Sequence, residues 1–356
     1  MMRTRIRRTA RLTAALMASA MLMGAGGALA APDVVVSIKP IHSLVAGVMQ
    51  GVGVPTLIVE GAASPHTYSM KPSNARAVQN ADVVFWIGPS MEAFLDKPLD
   101  ALAGKAVVVA LQDAPGLEKL KFREGGAFES HDDGDEHEHG HADHDAAEAD
   151  AEHKHEHAGD DHAAHDQAAD DHAGHDHAGH GHEGFDTHLW LDPENAKALV
   201  KEIQAKLAAA DPANVEAYSR NAIALLARID TMDGDIARQI APVKNKPFVV
   251  FHDAYQYFEH HYGVKVAGSV TVSPDTAPGA ERLREIQSKI VDLGATCVFA
   301  EPQFTPKLIN VVTEGTRARH GVLDPEGATL KEGPDLYFDL MNGLSSSLVD
   351  CLGKDS

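Results

Sequence analysis

Short apolar runs alternate with helically spaced apolar positions along most of the chain. Residues 34–38, 56–59, 83–87 and 106–111 are continuous runs dominated by β-branched and other apolar side chains, as expected of strands covered on both faces. A helix is expected over 40–49, and another from Ser73, with the serine as its cap. Further along, Asp192 before Pro193 predicts a capped helix with Leu199, Ile203 and Leu207 at helical spacing, and Asp211 before Pro212 opens another in the same way. The apolar positions Val215, Tyr218, Ala222, Leu225, Ile229, Met232, Ile236 and Ile240 recur every three or four residues until Pro242. That spacing predicts one amphipathic helix of about 30 residues, roughly 45 Å long.

The alternation then resumes. Strands are expected at 248–251, 264–270 and 295–300, and helices at 279–293, from Thr305, and around Tyr337, Leu340, Leu344 and Leu348. Alternating strands and helices give parallel βαβ units. The chain is therefore read as α/β, with one lobe on either side of the long helix. The expected boundaries are a leader over 1–30, a first lobe over 31–211, a linking helix over 212–241 and a second lobe over 242–356.

One stretch breaks the pattern. Residues 131–183 hold 15 of the 22 histidines and 18 acids against the single Lys154, with no apolar residue larger than alanine. Nothing there can offset the ordering entropy, so an inserted disordered loop is expected. The tract also localises the charge, because it accounts for 17 of the 21 net negative charges of the chain. The remainder is nearly balanced, and nucleic acid is excluded as a partner. Imidazole is the commonest protein ligand for zinc, so His137, His139, His141, His153, His155, His157, His175, His177, His180 and His182 are read as auxiliary weak metal sites, a solvated acidic loop being the alternative.

The N-terminus carries Arg3, Arg5, Arg7, Arg8 and Arg11, an apolar run over 12–23, and Ala28-Leu29-Ala30. This is the pattern of a cleavable secretory signal, cut after Ala30, with Arg7-Arg8 leaving a twin-arginine route open. No second apolar run reaches the roughly 20 residues of a membrane span. A soluble periplasmic protein is expected, and its two cysteines, Cys297 and Cys351, are either a disulfide pinning the last helix or two buried thiols.

Three histidines outside the tract share a placement. His66 follows a strand, His188 precedes the capped helix, and His252 follows the run over 248–251. Ligands of open α/β sheets bind beyond the carboxyl ends of strands, so an ion held by all three would lie between the lobes. Asp324, after a short apolar run, is a candidate fourth ligand, and such a nitrogen and oxygen set suits tetrahedral zinc. Glu301, directly after a strand, is open between orienting a ligand and forming a salt bridge. Trp190 and Tyr68 are expected to wall the cleft.

The phrases Pro65-His66-Thr67-Tyr68, Asp186-Thr187-His188-Leu189-Trp190-Leu191-Asp192-Pro193 and Phe251-His252-Asp253-Ala254-Tyr255 resemble the metal-ligand signatures of the periplasmic zinc-binding proteins of ABC importers, a ZnuA-like family. The resemblance covers essentially the whole mature chain. It implies two similar α/β lobes with parallel sheets, one long rigid helix between them, and Zn2+ in the interlobe cleft as transported ligand. It also implies ligation by His66, His188 and His252, a disulfide as in some members, and delivery to a membrane permease with its cytoplasmic ATPase. A monomer is expected, with a periplasmic zinc chaperone as a further partner. Some members have Glu before the first ligand where this chain has Pro65, which leaves water, Asp324 or a tract histidine for the fourth position. Manganese-binding relatives commonly carry a carboxylate where this chain has His252.

Rival readings are a manganese or iron binder of the same fold, a storage protein whose working part is the tract, and a secreted zinc hydrolase. The last lacks a His-Glu-x-x-His phrase and an acid placed as general base, so no enzymatic activity is expected.

Overall fold

The computed structural model describes residues 31–123, 184–271, 278–295, 297–305 and 307–354. The expected signal over 1–30 and the tract over 131–183, with all ten auxiliary histidines, lie outside the described residues. In the first lobe β1 (Val34–Val36), α1 (Lys39–Val48), β2 (Thr56–Leu57), α2 (Pro72–Asn80), β3 (Val83–Trp86), α3 (Ala93–Leu102) and β4 (Val107–Ala110) follow one another. Then come α4 (Pro193–Ala210) and α5 (Val215–Ile240). The second lobe runs β5 (Phe248–His252), α6 (Gln256–Tyr262), β6 (Val266–Thr271), α7 (Ala280–Asp292), β7 (Cys297–Ala300), α8 (Lys307–Thr313) and β8 (Arg319–Val322), and α9 (Leu336–Leu352) closes the chain.

Each lobe holds a four-stranded sheet, ordered β2-β1-β3-β4 and β6-β5-β7-β8. All pairings are parallel. The two orders are the same, so each sheet has one point where the winding reverses, between β1 and β3 and between β5 and β7. A crevice opens there beyond the strand ends. Every residue of β1 and β3 is buried, as the continuous apolar runs require. In β5 alternation divides the side chains: Phe248 and Val250 join the main core with β1, β3, α5 and α9, whereas Val249 and Phe251 pack with Ile286, Ile290, Ile309 and Val312 in a second cluster.

The long helix is 26 residues, about 39 Å, and its seven buried residues are Tyr218, Ala222, Leu225, Ile229, Met232, Ile236 and Ile240. That stripe packs on α1, α4 and α9. Each fully buried Ile or Leu contributes roughly 1.5–3 kcal/mol. Asp192 caps α4 as expected, accepting from the Glu194 N–H at 2.8 Å. Asp211 does not open α5 in that manner. A short 3-10 turn over Pro212–Asn214 intervenes, and the Asp211 carboxylate accepts from the Tyr218 hydroxyl at 2.8 Å and Asn214 Nδ2 at 2.7 Å.

Ser73 is not a cap either. Pro72, with its preset φ, takes the first position of α2, and Asn74 Oδ1 accepts from the Lys71 N–H at 3.0 Å. The helices α3 and α6 have no counterpart in the sequence reading: α3 carries Pro98 in its interior, and α6 is seven residues long.

The last segment returns to the first lobe. Lys39 Nζ, almost fully buried, donates to the carbonyls of Gly327, Ala328 and Leu330 at 3.3, 3.0 and 3.2 Å. Trp190 Nε1 donates to the Pro325 carbonyl at 2.8 Å, and the Tyr337 N–H donates to Ser43 Oγ at 2.9 Å. α9 then ends against β7, where Cys351 and Cys297, 54 residues apart, form a disulfide.

Closing a loop of that length removes unfolded-state entropy equivalent to about 4 kcal/mol. Replacing both cysteines by serine is expected to lower the unfolding free energy by roughly 2–4 kcal/mol in a urea titration, with zinc stoichiometry unchanged.

Candidate metal site

Both sheets direct their chemistry to the carboxyl ends. His252 is the last residue of β5 and Glu301 follows β7, so the two flank the reversal point of the second sheet. His66 lies in the turn after β2, where its N–H donates to Ser64 Oγ at 3.3 Å and the Thr67 N–H donates to the Ser64 carbonyl at 3.3 Å. His188 enters a 3-10 turn (Leu189–Leu191) that runs directly into the Asp192 cap, so the start of α4 fixes its height.

These three imidazoles converge. Each offers a ring nitrogen within 4.8 Å of the others, and the ring centroids form a near-equilateral triangle of 5.3, 5.5 and 5.7 Å. The two Nε2 atoms of His188 and His252 are 3.4 Å apart. Two nitrogens bound to one tetrahedral zinc at 2.0–2.1 Å would lie about 3.3–3.4 Å apart, so the pair already has the spacing of zinc ligands. The buried His66 Nε2 has no hydrogen-bond partner. A buried ring nitrogen left unpaired costs about 1–3 kcal/mol, a cost that a cation would remove.

Carboxylates behind two of the rings decide which nitrogen faces the centre. His188 Nδ1 donates to Asp186 Oδ1 at 2.7 Å, and the His188 N–H donates to the same oxygen at 3.0 Å. His252 Nδ1 donates to both Glu301 oxygens, at 2.7 and 2.8 Å, and the Tyr255 hydroxyl donates to Glu301 Oε1 at 3.3 Å. With Nδ1 carrying the proton, Nε2 presents its lone pair inward.

The surroundings keep these rings mostly neutral. Burial, reinforced by the neighbouring His188 and His252, depresses His66 to about 2. Burial followed by His252 holds His188 well below its usual 6.5. His252 goes the other way: burial is the largest single influence and lowers it, but Glu301, Asp253 and Asp186 together raise it above 6.5. Burial pushes the Asp186 carboxyl up to about 7. A dication at the Nε2 atoms would reverse that, favouring the ionised carboxylate.

Asp324 does not reach this cluster. Its oxygens accept from the backbone N–H groups of Glu326, Ala328 and Thr329 at 3.3, 3.0 and 3.3 Å, closing the turn after β8, and among the described residues the group of possible ligands comprises the three histidines alone. Trp190 packs its ring 5.4 Å from that of His188 and is fully buried. The Tyr68 hydroxyl donates to the Ile58 carbonyl at 3.0 Å, and its ring packs 4.9 Å from that of Phe94. The contact of Asp186 with His188 was missed from the sequence, although its place two residues before that histidine was the available signal. His42, His260, His261 and His320 stand outside the triad; His261 bridges Asp192 and Asp233 at 3.2 and 2.8 Å and is raised to about 9, chiefly by Asp192.

Two matching parallel-sheet lobes with a histidine triad between them define a metal-binding protein of the two-lobed α/β class. A crystal structure of ZnuA superimposes with a TM-score of 0.66 at 20% identity, covering 90% of this chain and 99% of that one. The periplasmic zinc binding protein TroA from Treponema pallidum gives 0.65 at 18% identity, covering 90% and 99%. The chain belongs to the ZnuA family: residues 34–351 match the description "Zinc-uptake complex component A periplasmic". The high-affinity zinc uptake system protein ZnuA of Brucella suis is 56% identical over 341 residues, covering 95% of this chain and 98% of that protein.

Removing an orienting carboxylate at constant volume tests its contribution to ligation. Asp186→Asn and Glu301→Gln are each expected to weaken zinc binding by about 10–100-fold in a chelator competition, while the fold by circular dichroism is retained.

Proposed function

We infer that this chain is the zinc-capturing component of a periplasmic uptake system, holding Zn2+ through His66, His188 and His252 and handing it to a membrane permease powered by a cytoplasmic ATPase. One observation carries the reading: three imidazoles from distant parts of the chain meet across two lobes, two of them with Nδ1 already engaged by a buried carboxylate. The name of the Brucella suis relative and the family description support zinc as the cargo. So does the donor set, since three nitrogens favour zinc over manganese, which prefers carboxylates. Among the described residues no helix is long and apolar enough to cross a membrane.

Capture follows from charge and protons. Zn2+ competes with the proton at His252, whose hold on it is raised, and finds His66 and His188 held toward the neutral form, so proton release accompanies capture. Asp186 and Glu301, one hydrogen bond behind the ligands, balance the ion's charge without touching it. Glu301 is fully engaged with His252 and Tyr255, which disfavours a hydrolase using it as a general base.

Alanine at His66, His188 or His252 is expected to abolish one tight zinc equivalent in metal analysis of the purified protein, and in cells to remove zinc-limited growth support. Survival of uptake with all three replaced would overturn the reading.

The raised His252 sets the pH dependence. A group with a raised pKa holds its proton to higher pH, so proton competition should begin above 6.5 and weaken affinity by up to tenfold per pH unit on further acidification. Competition titrations from mildly alkaline to mildly acid pH read this directly. Glu301→Gln removes the charge that raises His252 and should move the onset to lower pH.

A further inference from the structure

A short piece of the first lobe reaches both halves of the metal site. Residues 120–123 and 185–186 flank the stretch 124–183 in the chain, and Lys121 pairs with Phe185 in an antiparallel bridge. The Asp186 N–H donates to the Leu120 carbonyl at 2.9 Å. The Tyr257 hydroxyl, on α6, donates to the Asp186 carbonyl at 2.7 Å and accepts from the Leu120 N–H at 3.1 Å. This segment therefore fixes the backbone of Asp186, and Asp186 orients His188.

Two residues further on, Arg123 crosses to the second lobe. Its Nε donates to Asp253 Oδ2 at 3.0 Å and its Nη2 to Asp253 Oδ1, while Nη1 and Nη2 donate to Glu259 Oε2 and Oε1 at 3.1 and 2.7 Å. Both carboxylates are thus bound in the bidentate fork that guanidinium alone provides. The three side chains are only 21, 11 and 12% exposed. Asp253 directly follows His252.

We propose that Arg123 is a positioning residue for metal capture: its double fork onto Asp253 and Glu259, from a segment that also holds Asp186, sets the spacing between His188 and His252 before the ion arrives. The proposal rests on the reading that these histidines hold zinc. Its physical basis is preorganisation, because ligands fixed at the bound spacing lose less freedom on binding. A buried ion network of this kind contributes little net stability, since desolvation offsets attraction, but it tolerates few geometries. The 3.4 Å separation of the two Nε2 atoms is the quantity it would fix.

The test uses the full mature chain with Arg123→Lys, which keeps the charge and loses the fork, and Glu259→Gln, which weakens the clamp at the carboxylate not adjacent in sequence to any of the three histidines. Zinc dissociation into excess chelator is expected to accelerate about tenfold in each, with association nearly unchanged. The visible d–d spectrum of the Co2+-loaded protein should lose tetrahedral intensity in Arg123→Lys. A melting temperature lowered in both variants, with dissociation rate and Co2+ spectrum like those of the parent chain, would overturn the proposal and leave a purely structural clamp. Failure of the underlying reading looks different: the parent chain itself would keep tight zinc after alanine replacement of the triad.

Discussion

A buried imidazole can turn one nitrogen toward a cation only if its other nitrogen is satisfied elsewhere, and the geometry of this protein depends on that constraint. At His188 and His252 the second nitrogen donates to Asp186 and Glu301. Those bonds fix tautomer and ring angle together. The carboxylates are in turn held: Asp186 by the His188 N–H, Glu301 by the Tyr255 hydroxyl. His66 differs. It is more exposed than the other two and its Nε2 is unpaired, so of the three it depends most on the ion for its own satisfaction.

The fold supplies the depth that this arrangement needs. Each sheet reverses its winding between its two central strands, and the second sheet places His252 at the end of β5 and Glu301 just past the end of β7, the two strands that border its reversal point. The lobes do not pivot on α5 alone. Lys39 grips three carbonyls after β8, Trp190 donates to Pro325, and α9 packs on α1 as well as α5. Contacts of this kind join the two lobes, and of the three histidines His66, in its turn, is the least enclosed.

Much of this was legible in the chain because the signals were local. Of the eight positions read as the apolar face of α5, all but the half-buried Val215 are buried, and the Asp192-Pro193 cap needs no partner beyond its own helix. The histidine triad was legible through resemblance and through each residue's place at a strand or helix end. What escaped the sequence was in part a competing local turn and in part a distant partner. Asp324 follows a strand as a ligand would, yet its oxygens serve the turn formed by its own next five residues, a competition between backbone donors and metal that spacing cannot reveal. Arg123 carries no pattern at all, since its partners lie 130 and 136 residues away. The α3 helix was hidden by Pro98, and β8 is an edge strand whose half-exposed residues break the apolar run expected of a parallel strand.

Placing the acids behind the imidazoles rather than beside them has an energetic consequence. A carboxylate in direct contact would neutralise the ion and tighten its hold, favouring harder cations as well. Here the negative charges act through a shared proton. Glu301 raises His252 while burial depresses His66 and His188, so of the three rings His252 is the one that holds a proton most readily. A capture protein must bind tightly and still let go. If His252 holds the cargo as proposed, its place at the end of a strand and beside the Arg123 pairs means that a small displacement of β5 relative to Glu301 would weaken the charge balance behind the ring and the metal's hold together.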